Sequence, residues 1–288
     1  MELRGHARVA AILCIFSLFT SFGADIGTGT QSPARKEFSK IIEEQKDAQE
    51  KWQDAYKNAK TDEERSKLKY PSSEQYAARV FEVAKKYPND PAALDALVWI
   101  AENCRRGDEL EATLFLLLEK YPSEPKLADV IPRLLFARSK ETEPFLRAVA
   151  EKSSRGDVKG KALLTLGRLL KEQAEPAQFL RTNTEPKSVE NYRNWLGDDV
   201  VKKLQATDPA ELRKEAETFF ETVIAKYGKE KGSTRTLGEA AKGELYEMRH
   251  LQIGMVAPEI KGADVDGKKF ALSDYRGMVV VLDFWGHW

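Results

Sequence analysis

The chain has 288 residues, of which 42% are hydrophobic and 32% charged, enough apolar material to build one large domain or two smaller ones and too much for a disordered polypeptide. Forty-six Lys and Arg balance forty-six Asp and Glu. No net field therefore draws the chain toward nucleic acid, an anionic membrane or an acidic substrate.

The amino terminus has a basic start (Arg4, His6, Arg8), an apolar run over residues 9–19 and small residues at Ser21, Gly23 and Ala24. This is the pattern of a secretory signal, placed at 1–23, and it predicts an exported, periplasmic protein of bacterial type. The run is shorter than the roughly 20 apolar residues that span a bilayer, so membrane contact is expected only as a tether where the signal stays uncleaved. Cys14 lies inside the run and follows Ile12 and Leu13 rather than the small residue that a lipoprotein signal needs. Beyond the signal one thiol remains, Cys104, which cannot form an internal disulfide; after the helical run 94–101 it reads as a small packing residue without chemistry.

Ser32-Pro33 reads as an N-cap followed by proline at the first helical position. Phe38, Ile41, Ile42, Gln45, Ala48, Trp52, Tyr56 and Ala59 then recur at helical spacing, giving an amphipathic helical segment within 24–71. Its Lys-, Glu- and Asp-rich face is most simply solvated, with a coiled-coil partner as the alternative. After Tyr70-Pro71 a regularity begins. Lys86-Tyr87-Pro88-Asn89-Asp90-Pro91 is echoed 34 residues later by Lys120-Tyr121-Pro122-Ser123-Glu124-Pro125. Each Tyr-Pro would end one helix and each second proline would open the next.

That period and punctuation resemble tetratricopeptide-type helical hairpins. Residues 80–84 and 114–118 would lie in the second helices of two hairpins. Leu163-Leu164-Thr165-Leu166-Gly167-Arg168-Leu169-Leu170 has the pattern of a first helix whose glycine admits a close neighbour, and 219–227 reads as another second helix. The repeat does not keep register through 171–212, and 183–199, with Pro186, Trp195 and Gly197, reads as an irregular insertion with short helices. A helical-hairpin domain over 72–252 follows. By analogy its concave face would bind a peptide or protein, although no aromatic or basic cluster marks a groove in the sequence; a spacer or dimerisation domain is the alternative.

From residue 251 the periodicity becomes that of strands. Asp266-Gly267 signals a hairpin, Ser273-Asp274-Tyr275-Arg276-Gly277 a capped turn, and Met278-Val279-Val280-Val281-Leu282-Asp283-Phe284-Trp285 a central strand covered on both faces. Burial there would raise the pKa of Asp283, making that acid costly unless it has a partner or a task.

Ile-Gly-x-x-Ala-Pro-Glu from Ile253, Asp-Gly-Lys from Asp266, Leu-Ser-Asp-Tyr-Arg-Gly from Leu272 and Leu-Asp-Phe-Trp-Gly-His-Trp from Leu282 resemble, in this order, the redoxin (AhpC/TSA) and TlpA-like branch of the thioredoxin superfamily. The resemblance covers about 35 residues, 253–288. Joined to the helical-hairpin reading of 72–252, it implies a mainly α fold in which a tetratricopeptide-like helical-hairpin domain precedes the first part, β-hairpin plus central strand, of an α/β thioredoxin fold. It also implies thiol–disulfide oxidoreductase chemistry on a protein disulfide substrate or redox partner. In that family the Trp matching Trp288 is followed at once by Cys-x-x-Cys at a helix N-terminus, where the dipole favours thiolate. The expectation is thus a sequence that stops immediately before its redox-active Cys or selenocysteine. Three explanations stay open: a selenocysteine codon read as a stop, a truncation or sequencing error, and a genuine short product. Asp283 matches the buried proton-relaying acid, and Asp rather than Asn leans toward reductive chemistry. Trp285 and Trp288 would pack beside the motif as supporting residues or serve as plain aromatic core. His287 matches a variable, exposed position. With His250 and Cys104 the chain has too few soft ligands for a zinc site, so neither metal nor cofactor is predicted. The rival reading is a non-enzymatic periplasmic scaffold of helical hairpins.

Overall fold

In a computed structural model, residues 31–183, 185–284 and 286 are described. The signal segment 1–23 with Cys14, and Trp285, His287 and Trp288, lie outside the described residues. The protein is mainly helical, with twelve α-helices and one small antiparallel sheet among the described residues.

Helix α1 (Pro33–Asn58) starts as its sequence dictates: Ser32 Oγ accepts from the Arg35 amide at 3.1 Å, and Pro33 occupies the first turn, where its missing N–H costs nothing. Ala34, Phe38, Ile41 and Gln45 face inward. A second short helix, α2 (Asp62–Lys67), was not legible from periodicity; a capping box between Thr61 and Glu64 nucleates it, and no residue of it is buried.

The 34-residue echo is a structural echo in its first half. Helix α3 (Glu74–Lys86) ends at Tyr87 and helix α5 (Asp108–Lys120) at Tyr121, each tyrosine leaving helical conformation before a proline that disfavours it there. Between them, α4 (Pro91–Asn103) is capped by Asp90, whose carboxylate accepts from the Ala92 amide at 2.8 Å. Nearly every side chain of α4 from Ala92 to Ala101 is buried, so α4 is the central helix of the first core. After Tyr121 the echo weakens. Glu124 is a poorer cap than Asp90, and Pro132 offers no N–H, so α6 (Leu127–Val130) is one turn long and runs into a 3₁₀ turn, Ile131–Phe136.

Helix α7 (Thr142–Lys152) leads into α8 (Gly156–Thr182), whose 27 residues run about 40 Å. Helices α9 (Pro186–Leu196) and α10 (Asp198–Ala206) are the short helices expected of the insertion, turned at Gly197, whose φ of 90° suits glycine. Helices α11 (Pro209–Tyr227) and α12 (Leu237–His250) complete the helical part. One core gathers side chains of α1, α3–α7 and the first half of α8; a second joins the rest of α8 to α9–α12. Helix α8 therefore belongs to both.

Gly167, read from sequence as a point of close approach, is one: a Cβ on it would stand 2.6 Å from Cε1 of Phe220, which is fully buried on α11. Ion pairs tie the helices at their edges. Asp95 of α4 accepts from Arg35 and Lys126, Arg147 of α7 forks onto Glu215 of α11 at 2.7 and 2.9 Å, and Arg168 and Lys171 of α8 both reach Glu244 of α12.

The expected hairpin follows as β1 (Lys261–Ala263) and β2 (Lys269–Ala271), paired Lys261↔Ala271, Gly262↔Phe270 and Ala263↔Lys269. Gly267 takes φ 78° in the turn. A 3₁₀ turn, Leu272–Tyr275, ends before Gly277 at φ 87°. The central strand anticipated over 278–285 does not form over 278–284: these residues are in no strand, and Val279 and Val281 are 98% and 87% exposed. A strand needs partners for its N–H and C=O groups, and β1 and β2 pair only with each other. Neither hydrophobic core takes a side chain from beyond Met248.

Candidate functional site

The C-terminal segment carries the motifs that the sequence singled out. Its acids are occupied in holding turns. Asp264 Oδ1 accepts from the amides of Asp266 (3.0 Å) and Lys268 (2.8 Å), an arrangement in which a short carboxylate replaces the backbone acceptors that the tight loop lacks. Asp274 Oδ2 accepts from the Ala271 amide at 2.8 Å and so fastens the exit of β2. Glu259 Oε1 accepts from the amides of Ser273 and Ile260, both at 3.1 Å, linking the irregular stretch before β1 to the turn after β2. Hydrogen bonding from Ser273 holds the Glu259 carboxyl below its ordinary range despite an exposed position. These bonds set the shape of the segment.

Asp283 is exposed rather than buried, because the sheet that would cover it is not formed by the described residues. Phe284 beside it is exposed as well, and Gly286 is partly covered. The described residues of the segment include no cysteine. Trp285 and Trp288 cannot be placed against Asp283, lying outside the described residues.

Cys104 sits far along the helical part as the C-cap of α4, 3% exposed. Burial pushes its thiol up to about 12, with the Glu74 and Glu109 carboxylates adding to the effect, so Arg105 and Arg106 do not activate it. A thiol this reluctant to ionise packs; it does not exchange. Among the described residues no group of three or more His, Cys, Asp or Glu is arranged to hold a metal ion, and no helix is long and apolar enough to cross a membrane.

The structure brings together one group that sequence reasoning missed. Phe136 at the end of the 3₁₀ turn and Trp195 near the end of α9 share a cleft with Arg105, Arg138, Lys140 and Lys203, although 59 positions separate the two aromatics. The Arg138 guanidinium lies 5.9 Å from the Trp195 ring centroid. The sequence signal for it was partial: Trp195 fell in the segment 183–199 read as irregular, whereas nothing marked Phe136.

Comparison with known proteins gives a short match. Over 47 residues, 16% of this chain, it is 40% identical to the thiol-disulfide oxidoreductase ResA of Bacillus thuringiensis (strain Al Hakam) and to that of Bacillus anthracis, and 38% identical to that of Bacillus thuringiensis subsp. konkukian. The chain spans about a quarter (27%) of the length of these curated relatives. No family model matches the chain, and no solved structure does. The chain thus carries a short segment weakly similar to ResA-type thiol–disulfide oxidoreductases, and the remainder is a helical domain without an assignment.

Proposed function

We propose that this chain is the helical domain and opening segment of an exported thiol–disulfide oxidoreductase, whose redox pair, Cys-x-x-Cys or its selenocysteine counterpart, follows Trp288. The observation that carries this reading is the 40% identity over 47 residues to ResA proteins. The motif order of residues 253–288 agrees with it, and so does the exposed apolar run over 278–284, which has the composition of a strand buried on both faces.

In the reaction, the first thiolate or selenolate attacks a sulfur of the substrate disulfide. One substrate thiolate leaves and takes up a proton, and a mixed disulfide joins enzyme and substrate. The second thiol loses its proton, attacks the mixed disulfide and releases the other substrate thiol; the enzyme is left as its disulfide and the substrate has gained two electrons. Asp283, covered once the sheet is complete, is the group that receives the proton of the second thiol. Trp285 and Trp288 flank the pair. The helical domain holds the protein partner or positions the redox domain.

The test compares two proteins, one ending at Trp288 and one extended through the downstream reading frame with any UGA codon decoded, in reduction of a protein disulfide such as insulin by dithiothreitol. The extended protein should accelerate reduction and the shorter one should stay at background. Cys104→Ser should leave the extended protein's rate unchanged, because that thiol is buried. An extended protein that is inactive yet captures a partner through residues 72–250 would replace this reading with that of a non-enzymatic scaffold.

A further inference from the structure

The cleft that holds Phe136 and Trp195 brings exposed aromatic rings, unpartnered buried polar atoms and unpaired cations together in one place. It lies among the 3₁₀ turn Ile131–Phe136, the residues leading into α7, the second half of α8, and the corner between α9 and α10, and encloses about 210 Å³. Its aromatic residues are 61% (Phe136) and 49% (Trp195) exposed, and Leu196 and Val200 extend the apolar wall between them. Large exposed apolar side chains gathered in one concavity are the usual mark of a binding surface.

Two polar atoms of residues that line the cleft are buried and have no hydrogen-bond partner: Thr142 Oγ1 and Gln173 Oε1. Thr142 as a whole is 2% exposed. Buried polar atoms are nearly always satisfied in native proteins, so this orphaned pair in the cleft wall would be satisfied by a ligand that offers both a donor and an acceptor once the wall opens to it. A peptide main chain offers that combination.

Charge narrows the choice further. Of the four lining cations, Lys140 lies 3.7 Å from Asp199 and Lys203 is paired with Glu143. Arg105 and Arg138 have no carboxylate within ion-pair distance among the described residues, and Arg138 rests on the Trp195 ring instead. Glu172, the remaining acid of the lining, is exposed and makes no ion pair among the described residues, so it is outnumbered by the two unpaired arginines. The unmatched charge of the cleft is therefore positive.

We propose that this cleft binds an extended acidic peptide segment of a partner protein, one large apolar side chain filling the space between Phe136 and Trp195 and a neighbouring carboxylate pairing with Arg105 and Arg138. As the cleft wall opens to the ligand, a peptide N–H donates to Gln173 Oε1 and a peptide carbonyl accepts from the Thr142 hydroxyl. The enclosed volume suits one side chain; whole cofactors and drug-sized ligands occupy about 300–1,000 Å³. This site is independent of the redox reading: it uses residues of the helical domain alone.

The probe is the peptide acetyl-Ser-Asp-Phe-Asp-Ser-amide, titrated into the full chain while the Trp195 indole N–H is followed by heteronuclear NMR, its signal assigned by its loss in Trp195→Phe. The Trp195 signal should shift while that of Trp99, in the first core, stays. Replacing both Asp of the peptide by Lys, or its Phe by Ala, should each weaken binding about tenfold or more. Arg105→Gln combined with Arg138→Gln should remove the preference for the acidic peptide while leaving circular dichroism and the Trp99 signal unchanged; these side chains are not buried, so the variant tests charge rather than folding. Equal binding of the Asp and Lys peptides overturns the proposal, as does an unmoved Trp195 signal at millimolar peptide. N-acetylphenylalanine binding as tightly as the peptide would do the same, in favour of a small aryl acid. A protein that reduces disulfides without binding the peptide refutes this site alone; one that binds the peptide but cannot reduce disulfides after extension refutes the redox reading alone.

Discussion

Gly167→Ala sets two well-defined effects against each other, and the structure says which wins. In an isolated helix the change is favourable by about 0.8–1 kcal/mol, because glycine has the greater freedom to lose. In α8 the new Cβ would stand 2.6 Å from Cε1 and 3.0 Å from Cδ1 of Phe220, a ring with no solvent side to swing into. Forcing extra volume into a well-packed core costs about 1–3 kcal/mol. The net is a destabilisation of about 1 kcal/mol, or a fall in melting temperature of roughly 2–4 °C for a domain of this size. Urea and thermal unfolding followed by far-ultraviolet circular dichroism measure it. Phe220→Leu should cost on the order of 1 kcal/mol by itself, and in that background Gly167→Ala should become neutral or stabilising, a coupling of about 1–2 kcal/mol between the two sites. A Gly167→Ala protein that gains the full helix-propensity increment in the wild-type background would refute the argument, since the ring would then have moved aside at no cost.

Other outcomes follow from the same structure. Gly238→Ala should destabilise the α11–α12 turn by about 1–3 kcal/mol, because its Cβ would meet Gly228 backbone at 2.8 Å (Cα) and 2.9 Å (O), and main chain yields less than a side chain; amide exchange in residues 228–240 reads the effect. Asp95→Ala should cost about 1–2 kcal/mol, below the roughly 3–5 kcal/mol of a fully buried pair, because the Arg35 and Lys126 side chains it abandons are 31% and 47% exposed and regain water. Burial alone would raise the Asp95 carboxyl, but hydrogen bonds from Lys126 and Arg35 outweigh it and hold the group below its ordinary value. Its stabilisation is therefore complete above the ordinary carboxylate range and is lost as pH falls through the depressed pKa. Glu244, where Lys171 and Arg168 outweigh burial in the same way, adds to this acid limb. Asp95→Asn should flatten the limb in a stability-versus-pH series; an unchanged limb would show that the carboxylate does not carry it. Cys104 should resist iodoacetamide at neutral pH in the folded protein and label fully in urea, as read by peptide mapping; rapid labelling of the folded protein would contradict its burial.

Much of the helical part was legible because its determinants are local. Ser32-Pro33 and Asp90-Pro91 cap and open helices through bonds spanning two or three residues, and Tyr87-Pro88 and Tyr121-Pro122 close them through sterics at one peptide. The Asp266-Gly267 turn is of the same kind. The short helix α2 escaped notice because a capping box, rather than an apolar stripe, makes it, and the second half of the repeat failed where Pro132 interrupts it. In the candidate site, the sequence placed chemistry on 253–288, and the shape of the described part, a hairpin pinned by Asp264, Asp274 and Glu259, agrees with that pattern. Covering Asp283 is a different matter, since burial of a strand depends on other strands.

Sequence by itself thus determined the positions of α1, α3, α4 and α5, the close approach at Gly167, the packing role of Cys104 and the order of motifs in the last 35 residues, because each depends on neighbours along the chain or on residue size. Only the tertiary structure decided which side chains meet across it: Phe220 in the space left by Gly167, Arg35 and Lys126 on Asp95, and Phe136 with Trp195 and Arg138 around one cleft. Those pairings depend on how α8 and the insertion after it turn in space. No periodicity encodes that turn, because it is set by the packing of two cores on one long helix.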